Sequence, residues 1–163
     1  MAKTFDAPGG IVAAWWNRLK DKPGGRTLFS MLIGRMAPYT NTIGARVQEL
    51  GPGHSRWVMR DRRKVRNHLN SIHAVALVNL AEVASGTAML MGLSSDVRGI
   101  VTGLTIEYRK KARGTLTATC TCMVPAVTSE MSFDVPAVIT DSSGDVVAEA
   151  HVTWKLARRS VSS

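Results

Sequence analysis

The sequence contains few cysteines and no long apolar stretch near its start. Cys120 and Cys122 are its only cysteines, and two cysteines are too few to ligate zinc. Because they lie two positions apart on the same face of a predicted strand, they are poorly placed to form a disulfide with each other. Two small buried thiols are typical of a reducing compartment. The apolar residues 11–16 are too short for the hydrophobic part of a secretory signal. We therefore expect a cytoplasmic protein.

Acidic and aromatic residues are also scarce. The chain has 12 acidic residues against 21 lysines and arginines, which gives a net charge of +9. Such a charge attracts nucleic acid, an acidic membrane surface or a phosphate-bearing ligand. Nucleic-acid binding without sequence preference relies on aromatic side chains among basic ones, but aromatic residues make up only 6% of this sequence. We therefore expect no nucleic-acid partner.

The most informative stretch covers residues 67–92, which contain no proline. From Ile72 onward it is the longest apolar run in the chain, and it predicts one helix about 30 Å long. Apolar residues lie on nearly every side of this helix, so it is predicted to be buried on every side. Its length would allow a membrane span. A mid-helix Glu82, however, adds about 2.5–3.5 kcal/mol to the cost of insertion, so no integral span is expected.

Glu82 is the only charged residue of this predicted helix. Asn79, Glu82, Ser85 and Gly86 recur at spacings of three to four and share a helix face. A carboxylate inside an apolar helix is costly unless it is paired, hydrogen-bonded or neutralised. In a structural role, the Glu82 side chain would pair with an arginine or point into a solvent-filled gap. In a functional role, it would face a pocket as a general base or nucleophile.

The rest of the chain divides into helices before residue 40 and strands on either side of the long helix. Residues 1–9 are expected to be a frayed arm. A first helix is predicted over about residues 10–20, and a second begins at Thr27, its predicted N-cap, and ends at Pro38. Strands are predicted in the remaining alternating segments: 43–50, 55–60, 100–108, 116–124, 133–139 and 146–156. The charged segment 60–66 is either a solvated turn or a rim that faces phosphate.

These elements predict an α+β protein with a single domain. The last four strands follow one another through short turns, which favours an antiparallel meander with one buried face. A sheet that curls around the long helix would cover that helix on several sides. We divide the chain into an N-terminal helical segment, a main domain and a loose tail, at 1–40, 41–157 and 158–163.

The residues from Arg66 to Gly86 resemble a signature of the hotdog-fold thioesterases, in the phenylacetyl-CoA-thioesterase-like (PaaI-like) branch. That signature reads H-N-x-x-G-x-x-H-G-G, followed by L-x-(D/E) and a small residue. The matching positions here are Arg66, Asn67, Asn70, His73, Ala74, Val75, Leu80, Glu82 and Gly86. The following strand, with Thr102 and Arg109, is similar too, and the likeness covers about residues 40–157. The resemblance implies a hotdog fold: a curved antiparallel sheet of about six strands around one long central helix, here with two short N-terminal helices.

The resemblance also implies roles for particular residues. Glu82 would activate water or attack a thioester carbonyl, with Asn67 and His73 as further catalytic residues. The backbone N–H groups of Ala74 and Val75, at the position of the double glycine, would hold the carbonyl oxygen. The remaining candidates for substrate binding are Asn79, Ser85, Thr102, Arg109, Lys110, Lys111 and Arg113. Asn67 alternatively caps its loop, His73 alternatively bonds the backbone at the helix start, and the four basic residues alternatively form a solvated hairpin tip.

The function implied by the resemblance is an acyl-CoA thioesterase that uses no metal and no other cofactor, coenzyme A being part of the substrate. The alternative is a non-catalytic hotdog protein that binds acyl-CoA or fatty acid, which the missing double glycine favours. The resemblance further implies a homodimer, or a tetramer, with sites between subunits. His73 lies nine residues before Glu82, about 13 Å along one helix, so the two would meet only across such an interface.

Overall fold

The computed structural model describes residues 9–159. Its helices are α1 (Gly9–Leu19), α2 (Gly25–Met36), α3 (Pro38–Asn41) and α4 (Ala74–Leu90). Its strands are β1 (Arg46–Gly51), β2 (His54–Met59), β3 (Val97–Tyr108), β4 (Leu116–Thr121), β5 (Met131–Thr140) and β6 (Val146–Arg158). The predicted arm lies outside the described residues except for Gly9, which begins α1. Strand β6 continues through Arg158, which the sequence analysis assigned to the tail; residues 160–163 lie outside the described range.

The six strands form one antiparallel sheet in the order β1-β2-β4-β5-β6-β3. The predicted meander of the last four strands is therefore wrong for β3, which pairs with β6 and not with β4. Strand β4 pairs instead with β2, so the first hairpin occupies the position that a meander would give to β3. Alternation along a strand predicts which of its residues share a face, but it does not predict which neighbour the strand will pair with.

Helix α4 lies against the concave face of the sheet and forms the centre of the core. Leu80, Ala81, Ala84, Ala88 and Met89 are completely buried. The helix has 17 residues and is about 26 Å long, shorter than predicted because His73 is its N-cap and Ile72 precedes it. The predicted hotdog arrangement, a curved antiparallel sheet of about six strands around one central helix, is confirmed, and the sheet is not closed.

The N-terminal helices cover the side of α4 that the sheet leaves open. Helix α1 packs on α2 through the edge-to-face pair Trp16–Phe29, whose ring centroids lie 5.2 Å apart. The predicted Thr27 cap is wrong: the N-cap of α2 is Gly24, at a φ of 71°, without a side-chain hydrogen bond. A third helix, α3, was not predicted; Pro38 occupies its first turn, where a residue without an N–H is readily accepted.

No helix within residues 9–159 is both long and apolar enough to cross a membrane.

Candidate functional site

Glu82 lines a small apolar cleft of about 80 Å³ between α4 and the N-terminal helices. The other lining residues are Val12, Ile33, Met36, Ala37, Thr40, Val83, Gly86, Thr87, Leu90 and Trp154. The Glu82 side chain is mostly buried, and this burial is the one cause that raises the pKa of its carboxyl group. Among the described residues, no cation or hydrogen-bond donor compensates that burial. The carboxylate therefore faces an apolar space with its acceptor capacity unused.

Gly86 and Trp154 form the wall of the cleft beside the carboxylate. A Cβ atom placed on Gly86 would lie 3.0 Å from Trp154 Cζ2 and 3.8 Å from Glu82 Oε1. The indole of Trp154 is 6% exposed, and its Nε1 is a buried donor without a partner among the described residues. A buried donor of this kind costs free energy unless a ligand or water bonds it. The cleft thus holds an unused acceptor and has an unused donor in its wall.

The start of α4 differs from the predicted arrangement of backbone donors. His73 is the N-cap, and its Nδ1 accepts the N–H of Val75 at 3.1 Å. The N–H of Ala76 bonds the carbonyl of His73 at 2.9 Å. Since a ligand cannot use an N–H that is already bonded, Ala74 keeps the free donor at this helix end within the described residues. His73 has the backbone-capping role that was the alternative to ligand contact.

Three of the predicted site residues share a second, larger pocket of about 350 Å³ beside the start of α4. His73, Val75 and Asn79 line it together with Tyr39, Thr42, Ile43, Lys64, Val65, Arg66 and Ala76. The side-chain amide of Asn79 donates to the carbonyl of Tyr39 at 3.1 Å. This bond ties α3 down across α4, so that His73 and Glu82 lie in separate pockets on either side of α3.

Asn67 and Asn70 build the loop that leads into α4. The side-chain oxygen of Asn67 accepts from the N–H of Leu69 and from both the N–H and the hydroxyl of Ser71, at 3.0–3.3 Å. Asn67 therefore caps its own loop, which was its alternative role. Asn70 has a φ of 56°, in the left-handed region that asparagine tolerates better than most residues. Together they fix where His73 enters the helix.

Ser85 and Thr102 do not line the cleft of Glu82. Ser85 is completely buried, and its hydroxyl donates to the backbone carbonyl of Glu82 at 3.0 Å. Thr102 is exposed on β3, where the strand register shifts between Val101 and Gly103. Its hydroxyl donates to the carbonyl of Thr153 at 3.4 Å.

The basic cluster after β3 is largely engaged with carboxylates. Arg109 forms ion pairs with Glu107 and Glu149, each at 2.7 Å, and Lys110 pairs with Asp141 and Asp145 at 2.7 and 2.8 Å. Their charges are matched locally, which leaves little for a phosphate group. Lys111 and Arg113 follow in the same connection and form no ion pair within residues 9–159.

Sequence reasoning missed Trp154, α3 and the contribution of Lys64 and Arg66 to the pocket beside His73. Trp154 falls within the predicted strand 146–156, and nothing in its spacing relates it to Glu82. No group of three or more His, Cys, Asp or Glu side chains within residues 9–159 is placed to hold a metal ion. Burial raises the pKa of the Cys120 thiol, which suppresses the thiolate needed for nucleophilic chemistry.

Comparison with protein families gives one match, which covers most of the chain. The sequence model described as "Domain of unknown function (DUF4442)" matches residues 25–156. A search of curated proteins gives no match.

Solved structures resemble most of the chain. A structural-genomics protein designated APC5556 is 29% identical, with a TM-score of 0.78, and the match covers 91% of this chain and 99% of that protein. A protein of unknown function from Pseudomonas aeruginosa, described as a probable thioesterase, is 24% identical over 82% of this chain and 96% of its own, with a TM-score of 0.73. A thioesterase family protein from Silicibacter pomeroyi is 16% identical over 80% and 96%, with a TM-score of 0.68. These likenesses support the hotdog assignment.

Proposed function

Because the chain belongs to the DUF4442 family, whose function is unknown, its activity has to be argued from its own site, and we propose that it is an acyl-CoA thioesterase. The observation that carries the proposal is the unpaired, mostly buried carboxylate of Glu82 in an apolar cleft. A structural carboxylate in such a place is normally paired. The description of two similar structures as thioesterases supports the same reaction class.

In the proposed reaction Glu82 acts on water as a general base. It takes a proton from the water molecule while the water oxygen bonds to the carbonyl carbon of the thioester. The carbon–sulfur bond then breaks, and the thiolate of coenzyme A leaves and recovers the proton from Glu82. A carboxylate whose pKa is raised by burial is a stronger base than one in water, which suits this role at neutral pH. Direct attack by Glu82, which would form an anhydride for water to hydrolyse, is the covalent version of the same chemistry.

The negative charge that develops on the carbonyl oxygen needs a donor. The free N–H of Ala74 lies eight residues before Glu82, about 12 Å along α4. One carbonyl group cannot reach both within a single chain. We therefore propose that the start of α4 in a second copy faces the Glu82 cleft, and that one site uses both chains.

The surface of β3 favours such a self-association. Strand β3 is an edge strand of 12 residues, with Ile100, Val101 and Tyr108 exposed at 60%, 40% and 48%. Val75 of α4 is also exposed, at 48%. A long, apolar and unpaired strand edge invites pairing with another chain. A homodimer through β3 is expected in sedimentation analysis, and the substitution Val101→Lys should shift it towards monomer.

Hydrolysis of acyl-CoA thioesters of graded chain length tests the function. The wild-type protein is expected to release free thiol, measured with a thiol reagent, and Glu82→Gln is expected to lose about 10²–10⁴-fold in rate. Glu130→Gln is the matched control, because Glu130 is exposed and lies outside both pockets. Equal rates for the wild type and Glu82→Gln would remove Glu82 from the chemistry.

A non-catalytic acyl-CoA-binding or fatty-acid-binding protein is the second candidate, favoured by a specific observation. His73 already occupies the N–H of Val75, which removes one of the two donors expected to stabilise the developing charge. Tight binding of acyl-CoA by the wild type, with no thiol released by the wild type or by Glu82→Gln, would favour this candidate over the thioesterase.

A further inference from the structure

The net positive charge of the chain comes from its first part. Residues 1–66 contain 13 of the 21 lysines and arginines and only 4 of the 12 acidic residues, whereas residues 67–163 contain 8 of each. The whole net charge of +9 thus belongs to the N-terminal helices, the β1–β2 hairpin and the loop that follows it. A field of this kind concentrates anions at one side of the molecule.

Within this part, three arginines line a groove of about 380 Å³ on the outer face of the first hairpin. Val47, Trp57 and Met59 are buried towards α4, so Arg46 on β1 and Arg60 beyond the end of β2 face outward. Arg62 completes the arginine groove, and its other lining residues are Thr27, Gly44, Gln48 and Val58. The volume lies within the usual range of small-ligand sites.

The three arginines have no carboxylate partner within residues 9–159. Their neighbours do: Arg56 pairs with Glu49 at 3.5 Å and Arg66 with Asp61 at 2.6 Å. Arg62 is held in place, because its guanidinium lies over Gly44 and Nη2 donates to the carbonyl of Thr42 at 3.3 Å. Three like charges side by side repel one another, and a bound anion relieves that repulsion.

The arginine groove adjoins the pocket beside His73. Thr42 lines that pocket while its carbonyl holds Arg62, and Gly44, two residues later, lines the groove. A ligand with a phosphorylated end in the groove can therefore continue past Thr42 into the pocket at the start of α4, the helix end that would face the Glu82 cleft of the proposed second copy. The basic residues after β3 differ from this groove in two ways: Arg109 and Lys110 are paired with carboxylates, and Lys111 and Arg113 line neither the arginine groove nor the pocket beside His73.

We propose that Arg46, Arg60 and Arg62 bind the phosphate groups at the nucleotide end of the coenzyme A thioester. Arginine suits this role because its planar guanidinium donates two parallel hydrogen bonds to phosphate oxygens. The identity of the ligand rests on the proposed function, but binding at the groove does not require turnover.

Calorimetric titration of the full chain with adenosine 3′,5′-bisphosphate at about 50 mM salt tests the groove. Saturable binding is expected, weakened about tenfold or more in the double substitution Arg46→Gln and Arg60→Gln, since hydrogen bonds to charged groups are the stronger ones. Arg98→Gln is the control, because Arg98 is an exposed arginine that lines a different pocket. Both arginines of the double variant are exposed, so it should fold, and Arg62 is kept because it also holds Thr42.

A second arm compares substrates. In the double variant, KM for an acyl-CoA should rise about tenfold with kcat unchanged, while hydrolysis of the same acyl group on pantetheine, which lacks the nucleotide, should not change. Inorganic phosphate that competes fully with the bisphosphate at equal concentration would overturn the assignment to a nucleotide. The proposal also fails if no bisphosphate binds at millimolar concentration, which is the result expected of a groove that binds an acidic protein instead. It fails as well if the bisphosphate binds but the double substitution does not weaken the binding. Bisphosphate binding that depends on Arg46 and Arg60 in a chain that hydrolyses no thioester would uphold the groove and refute the proposed function.

Discussion

The substitution Glu82→Gln should make the folded protein more stable at neutral pH while it removes activity. Glutamine keeps the shape of the side chain but carries no charge into the apolar cleft. Because burial raises the pKa of Glu82, the native state binds a proton more tightly than the unfolded state does, where the usual value is about 4.3. Stability of the wild type must then fall as the pH rises from that value through the raised pKa of the folded state.

The size of the effect follows from a single proton. Relative to Glu82→Gln, the wild type should lose at most about 1.4 kcal/mol for each pH unit within that window, and nothing further above it. For a domain of this size, about 1 kcal/mol corresponds to about 2–4 °C in Tm. Below the window Glu82 is protonated in both states, so the two proteins should have similar stability.

Urea unfolding of both proteins at a series of pH values between 4 and 8 measures this difference, with Glu130→Gln as control. The side chain of Glu130 is 59% exposed, so its substitution should change stability little at any of these pH values. A wild type that gained stability relative to Glu82→Gln as the pH rose would refute the reasoning, because it would mean that the native carboxylate is paired.

Three further substitutions test the surroundings of the site. Asn70→Ala should destabilise the protein by about 1 kcal/mol, because Asn70 has a φ of 56°, whereas Asn70→Gly should cost less; equal losses in thermal unfolding would contradict this. Gly86→Ala should lower both Tm and the hydrolysis rate, because the alanine Cβ would lie 3.0 Å from the buried ring of Trp154 and overpacking costs about 1–3 kcal/mol. A raised Tm would instead show that the ring moves aside and that only the higher helix propensity of alanine is felt. Asn79→Ala should release α3, costing about 1 kcal/mol and increasing hydrogen exchange at the bonded amides of Asn41 and Thr42. Unchanged exchange would show that the Tyr39 bond is not what holds α3.

The fold could be predicted because its two main patterns have different periods. An unbroken apolar run predicts α4, and strict alternation predicts β6, whose inward residues Ala150, Val152 and Leu156 are all buried. The position of β3 at the far edge of the sheet could not be predicted from alternation. The third helix also escaped prediction, since Pro38 was interpreted as an end and not as a first turn.

The candidate site was only partly predictable. An isolated charge in an apolar helix indicates Glu82 by composition alone, because an unpaired buried carboxylate is rare. The surroundings of Glu82 come from residues far away in sequence: Trp154 approaches from β6 and Ile33 from α2. The basic loop 60–66 was interpreted as either a turn or a phosphate-facing rim, and only the fold brings Arg60 and Arg62 beside Arg46.

The most direct test of the account is the dependence of kcat/KM on pH for acyl-CoA hydrolysis by the wild-type protein. If the ionised Glu82 is the base, log kcat/KM should rise with a slope of one as the pH increases through a pKa above the usual range of glutamate, and then reach a plateau. The rising part of this pH profile should disappear in Glu82→Gln, together with most of the rate. If the rise persisted in Glu82→Gln, or if it were centred at or below the usual pKa of glutamate, another group would be doing the chemistry.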